Sequence, residues 1–307
     1  MTRIITYLMI YVAGMTISYA QVKSEDFLIK NGDIELPGTL TYTEKAKDLV
    51  IWVHGSGDVD RNGNQRSANI KANYIKQLRD ELNKNDIAFF SYDKRTANPK
   101  NAAFLKDIVF DNLVDDAKKV VSHLKDKYEY KSITLVGHSQ GSLVAMLAKE
   151  GVNKYISLAG PAESIDQAIV RQVTNQNAEI GKKASEHFKE LKETGDVKNV
   201  NPYLTSIFAK QNFPFIRNWM SYNPTEEIKK VTIPTLIING DKDIQVTVDD
   251  AKALHESNSN ARLVIIENMN HVLKIIEKDS DNLPSYYSPD FKLSDKLVKT
   301  ITEFVKK

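Results

Sequence analysis

A serine hydroxyl becomes a nucleophile at neutral pH only when a base takes its proton and an acid orients that base. Ser139 stands where such chemistry starts, inside Gly137-His138-Ser139-Gln140-Gly141, which fits the pattern G-x-S-x-G. Ile133 to Val136 before it reads as a short buried strand, and Leu143, Val144, Met146 and Leu147 after it fall at helical spacing. Strand, tight turn and helix are the context that gives this pattern meaning. A serine on so sharp a turn projects its hydroxyl above the sheet, and residues without side chains on either side let strand and helix approach. The chemistry implied is acyl transfer.

Six histidines are available as the base. His54 and His138 lie inside glycine motifs and read as loop-shaping. His123 and His187 lie on charged helical stretches and read as exposed, and His255 is late in a helix. His271 alone follows a C-terminal strand in a loop, where its ring can reach the serine. For the acid, Asp243 follows the strand 234–240 and precedes His271, giving the order Ser, Asp, His that accompanies this kind of turn. Asp241 reads as a turn former, and Asp249 and Asp250 as helix-start carboxylates that suit the dipole. Two N–H donors must meet the developing oxyanion. Gln140, next after the nucleophile, supplies one. Ser56, in His54-Gly55-Ser56-Gly57 at the end of the strand Asp48 to Val53, supplies the other.

The elements that must position these residues alternate. The 307 residues are 41% hydrophobic and 27% charged, an ordinary globular balance that suits one large α/β domain. Phe27 to Tyr42 reads as an opening hairpin with a bend at Pro37-Gly38. Strands at 48–53, 87–92, 133–136, 155–160, 234–240 and 261–266 then alternate with helices at 69–82, 110–128, 248–256 and 290–307. That rhythm implies a mostly parallel sheet covered on both faces. It breaks between Ala162 and Lys230, where helical runs rich in Lys, Glu, Gln and Asn suggest an insertion over the strand ends. Phe213, Phe215 and Trp219 within it are the candidate substrate-binding aromatics, or else pack the insertion on its base.

Several classes are excluded. A net charge of +2 gives no electrostatic case for nucleic acid. The absence of cysteine removes thiol catalysis, disulfides and thiolate metal sites together. Asp58, Asp60 and Asn62 alternate like the start of a calcium loop but lack its closing glutamate, so no metal is expected. At the N-terminus, Arg3, an apolar run from Ile4 to Ile17 and Ser18-Tyr19-Ala20 read as a signal peptide cleaved after Ala20. The expectation is a secreted or periplasmic protein with no membrane span once that peptide is removed.

Taken together, the His54-Gly55-Ser56-Gly57 loop, the Gly137–Gly141 turn, Asp243 and His271 resemble the α/β-hydrolase family of serine hydrolases over residues from about 25 to the end. The longer run from His54 to Asn64, with Tyr92-Asp93-Lys94-Arg95, is similar to the esterase and serine-aminopeptidase-like branch with a helical cap. That branch usually carries a glycine where this chain has Thr96. The resemblance implies an eight-stranded sheet, no cofactor, and hydrolysis of an ester, thioester or amide. With the signal peptide at 1–20, the expected organisation is a core at 21–161 and 231–307 and a cap at 162–230. The leading expectation is hydrolysis of a small-molecule carboxylic ester through an acyl-enzyme. The alternatives are a peptidase of the same fold, with Glu163 or Asp166 near the cap start as ammonium binders, and a non-catalytic ligand-binding member.

Overall fold

The computed structural model describes residues 21–307, so the signal peptide read over residues 1–20 lies outside the described residues. Strands and helices follow in chain order as β1 (Lys23–Asn31), β2 (Ile34–Tyr42), β3 (Asp48–Val53), α1 (Tyr74–Lys84), β4 (Ile87–Tyr92), α2 (Asp111–Lys127), β5 (Ser132–His138), α3 (Gln140–Leu147) and β6 (Lys154–Leu158). Then come α4 (Ile165–Gln176), α5 (Ala178–Thr194), α6 (Phe213–Trp219), α7 (Pro224–Ile228), β7 (Thr235–Gly240), α8 (Val248–Ser257), β8 (Arg262–Ile266) and α9 (Asp295–Lys306).

The eight strands form one sheet in the order β1-β2-β4-β3-β5-β6-β7-β8. The β1–β2 and β2–β4 pairs are antiparallel, and every later pair is parallel. Side chains alternate across a strand, so β3 feeds two cores. Leu49, Ile51 and Val53 pack on one face with residues of α2, α3 and α8. Val50 and Trp52 pack on the other with residues of α1 and α9. The central strands are buried along their whole length, as expected of a parallel sheet covered on both sides. This is the α/β-hydrolase fold, with the loops after β3, β5, β7 and β8 gathered at one edge of the sheet.

The second strand and the first helix depart from expectation. β2 runs straight through Pro37 and Gly38 instead of bending there. A proline fits this strand because Pro37 contributes its carbonyl, which accepts the Asp93 N–H at 2.7 Å. Gly38 is there for space, since a Cβ would sit 2.4 Å from the ring of Phe90. The helix expected from Asn69 starts only at Tyr74. Asn69 and Asn73 both take the left-handed region (φ 52° and 48°), which breaks any helix running through them. Ile70, counted into the helical stripe, instead pairs with Gln65 in an isolated bridge.

Residues 162–230 are helical, as expected, and carry a core of their own. Ala184, Phe188, Leu191, Phe208 and Phe213 are buried together there, apart from both cores of the sheet. His187 belongs to this cluster too. It is buried against Phe208, and its Nε2 accepts the Asn201 N–H at 3.0 Å, so it is not the exposed histidine that its charged surroundings suggest.

Candidate active site

The site begins at the turn between β5 and α3. Ser139 has φ 54° and ψ −126°, a conformation that an L-residue holds only under strain. Its N–H is fixed to the Leu158 carbonyl at 3.0 Å. The glycines around it are required by space. A Cβ on Gly137 would lie 2.2 Å from the Gly141 carbonyl oxygen, and one on Gly141 would lie 2.3 Å from that of Val53. The half-buried Ser139 therefore sits at the start of α3 with its neighbours pressed against β3.

The loops after β7 and β8 bring the acid and the base together. His271 Nδ1 donates to Asp243 Oδ2 at 2.7 Å. The other carboxylate oxygen accepts the N–H groups of Gln245 and Val246 at 2.8 and 2.9 Å, which locks the acid in place. Nε2 of His271 is then the free acceptor. Asp241, expected to shape its own turn, ties the same two loops by accepting the Asn268 N–H at 2.6 Å. Asp250 does more than start α8. It closes a capping box with Thr247 and also pairs with Arg171 of α4 at 3.1 Å.

Two other buried histidines frame this pair. His138 donates from Nε2 to the His271 carbonyl at 2.8 Å, and its ring lies 4.8 Å from that of His271. Burial, and then the neighbouring His271, holds it well below the ordinary imidazole range, so it stays neutral. His54 donates from Nε2 to the Tyr92 carbonyl, and burial, reinforced by nearby Lys94, pushes its pKa down to about 3. Both are fixed donors to carbonyls that shape the loops.

Ser139, His271, Ser56 and Gln140 line one cavity of about 480 Å³, with Asp243 directly behind His271. Ile165, Ala168, Ile169 and Trp219 from the helical segment close it from above. Val246, Val272 and Tyr286 close it from the side. Among the described residues, no Asp, Glu, Lys or Arg lines it.

The candidate aromatics divide. Trp219 lines the cavity and stacks on Phe110, with rings 5.2 Å apart and 9° from parallel. Phe215 faces an adjoining hollow that shares Trp219, Gln140 and Ser56 with it. Phe213 does not reach the site, because it is buried in the helical segment's own core. Glu163, a candidate for binding an ammonium, is already paired with Arg171 at 2.8 Å, and neither it nor Asp166 lines the cavity. Asp58 and Asp60 are likewise occupied. The first accepts from Ser67, and the second from the N–H groups of Asn62 and Asn64.

The sequence reading did not give Lys94 a role. It is fully inside the protein at the end of β4, where its Nζ donates to Gly55 O and to Gln140 Oε1, both at 2.7 Å. Burial brings its pKa down to about 7. A lysine between Asp93 and Arg95 gives no local sign of such a position.

Fold and site geometry define the class, and comparison places the chain within it. Residues 33–257 match the family described as BD-FAE, and the chain belongs to that family. It is 22% identical to Esterase EstD of Thermotoga maritima over 285 residues, 89% of this chain and 66% of that one. A shorter stretch of 102 residues is 34% identical to a proline iminopeptidase of Saccharolobus solfataricus, 31% of this chain and 33% of that one. The chain thus spans two thirds or less of the length of these relatives. Among solved structures it is similar to an esterase of Pyrococcus furiosus (TM-score 0.60, 17% identity, 94% of this chain and 91% of that one). It is also similar to Est1E of Butyrivibrio proteoclasticus (TM-score 0.56, 20% identity, 92% and 96%), a protein also solved with ferulic acid bound. A bromoperoxidase of Bacillus anthracis superposes as well (TM-score 0.56, 16% identity, 93% and 100%). At such identities the likeness speaks for the fold, which hosts several chemistries.

Proposed function

We propose that this protein hydrolyses carboxylic esters of small, uncharged acyl groups, with Ser139 as nucleophile, His271 as base and Asp243 as the residue that orients it. The observation that carries this reading is one cavity holding a strained, accessible Ser139 and a histidine whose other nitrogen is committed to a buried carboxylate. Ser139 Oγ attacks the acyl carbonyl and its proton passes to His271 Nε2. The carbonyl oxygen, now an anion, faces the N–H groups of Ser56 and Gln140, each worth about 3 kcal/mol in comparable sites. The intermediate collapses, the alkoxide leaves with the proton held by His271, and a water activated by the same imidazole releases the acid and restores Ser139.

The esterase names of the T. maritima relative and of two structural neighbours support ester chemistry. The 34% identity to a proline iminopeptidase favours a second reading, release of N-terminal residues. That reaction calls for a carboxylate at the substrate's ammonium; among the described residues none lines the 480 Å³ cavity, and Asp58 in the adjoining hollow already accepts two bonds from Ser67. A purely binding role has no use for the strain at Ser139. Residues 162–230 act, on this reading, as a cap whose Trp219 and Phe215 wall the acyl group, and the protein works outside the cytoplasm after loss of residues 1–20.

The test uses the mature protein. A fluorophosphonate probe should label Ser139, and p-nitrophenyl esters should turn over far faster than aminoacyl amides. A panel running from acetate to ferulate esters reads the acyl preference. Ester hydrolysis surviving Ser139→Ala, with no labelling of Ser139 in the parent, sinks the proposal.

A further inference from the structure

Two N–H groups, of Ser56 and Gln140, are read here as the donors to the oxyanion, and one buried side chain touches the groups that aim both. Lys94 Nζ donates to the carbonyl oxygen of Gly55 at 2.7 Å. That carbonyl and the Ser56 N–H belong to the same peptide unit, and the described residues contain no cis peptide. In a trans peptide, C=O and N–H point in opposite directions. Whatever grips the Gly55 oxygen from inside the protein therefore turns the Ser56 N–H away from itself. Gly55 and Ser56 line the 480 Å³ cavity and Lys94 does not. The second contact, to Gln140 Oε1 at 2.7 Å, anchors the side chain of the residue that carries the other N–H.

The lysine's own backbone is tied on both sides. Its N–H donates to the Val59 carbonyl at 3.1 Å, and its own carbonyl accepts from Ala97 at 2.7 Å. Both acceptors of its Nζ are uncharged oxygens, an expensive arrangement for an ammonium only 6% exposed. Asp58 and Asp116 favour its charge only from a distance. Structural lysines in a core are ordinarily paired with a carboxylate, so this one asks for another explanation.

We infer that Lys94 is a positioning residue of the oxyanion site. It holds the Gly55–Ser56 peptide and the Gln140 side chain in one geometry, and it polarises that peptide so that its N–H becomes a stronger donor. Its Nζ bonds go to Gly55 and Gln140 and to neither Ser139 nor His271. Both the ammonium and the neutral amine keep enough N–H bonds for the two acceptors, so the orientation survives a change of protonation. This rests on the reading of Ser139, Ser56 and Gln140 given above.

The experiment compares the parent with Lys94→Met, Gln140→Met, the double variant and Ser139→Ala. It measures kcat and KM on a p-nitrophenyl ester and the inhibition constant of a trifluoromethyl ketone, whose hemiketal anion fills the oxyanion site. Lys94→Met should lower kcat by about 10- to 100-fold, with KM within about twofold and the ketone weakened in step with kcat/KM. Gln140→Met keeps its backbone N–H and loses only the anchor, so it should show a smaller loss of the same kind. The double variant should fall short of the product of the two singles. If Lys94→Met does not fold, a loss of kcat without change of KM in Gln140→Met still carries the inference, and no loss there overturns it. A folded Lys94→Met that keeps kcat and ketone affinity, or loses only KM, also overturns it. Activity persisting in Ser139→Ala strikes the underlying serine reading instead, which separates the two failures.

Discussion

The edge of the sheet and the helical segment laid over it are built on different rules. At the sheet edge, polar side chains are buried and each is held by backbone or by another buried side chain. His54, Lys94, Gln140, Asp243 and His271 are all under 10% exposed and all hydrogen-bonded. Residues 162–230 carry a small apolar core of their own, while Ile228 is buried in the core of the sheet and Phe215, Trp219 and Tyr222 pack against it. Arg171 pairs with Asp250, Tyr222 donates to Asp111 at 2.6 Å, and Trp219 stacks on Phe110. Where atoms react is thus set by the loops at the strand ends, and what shape fits above them is set by a segment that adds a second core to that of the sheet. Changes on one side should transmit little to the other.

That separation can be broken or sharpened by experiment. The largest effect is expected from Asp243→Asn, which leaves the shape but spoils the His271 tautomer. It should lower kcat about 10⁴-fold with almost no change in melting temperature. A comparable loss of stability would mean that the sheet edge and its chemistry are not separable. Phe213→Ala should cost about 3–5 kcal/mol within the helical segment alone. Hydrogen exchange should then quicken in α5 and α6 while β3 and β5 stay protected, and uniform quickening would make the two regions one folding unit.

Smaller is the pH effect of Lys94, which has a pKa of about 7 when folded, against an ordinary lysine value of 10.5. The unfolded chain binds the extra proton between those values, so the penalty is full below about pH 7 and fades as pH rises. His54, Asp58 and Asp116 are the ionisable groups that act on this lysine or feel it. Parent stability, measured by denaturant at pH 6 to 9.5, should rise relative to Lys94→Met by on the order of 1.4 kcal/mol per unit traversed above pH 7. A flat difference would place the charge elsewhere. Smallest is Glu163→Gln, which loses a half-exposed ion pair with Arg171 worth under about 1 kcal/mol. Ester and aminoacyl amide turnover should both stay within about twofold. A selective loss of amide turnover would revive the peptidase reading.

What could be read in advance follows the same division. The elbow at Ser139 and the loops bearing Asp243 and His271 were legible because a tight turn at a strand end demands particular residue types in a short stretch. The eight strands were legible from their apolar runs, and β2 misled only where Pro37-Gly38 serves pairing and space rather than a bend. Phe213 was misplaced because an aromatic cluster does not say which of two cores it faces, and His187 because a charged neighbourhood in sequence does not show that its own ring turns inward. Lys94 went unassigned because its partners, Gly55 and Gln140, come from loops on two other strands.

The cavity wall without fixed charge has a kinetic consequence. A lined, charged cleft gathers ions of opposite sign and makes capture fall steeply with added salt. For the uncharged ester proposed as substrate, the cavity holds no such field, so kcat/KM should hold steady from low to high ionic strength. What selects the visitor is then the fit of its shape between Trp219, Val272 and Tyr286.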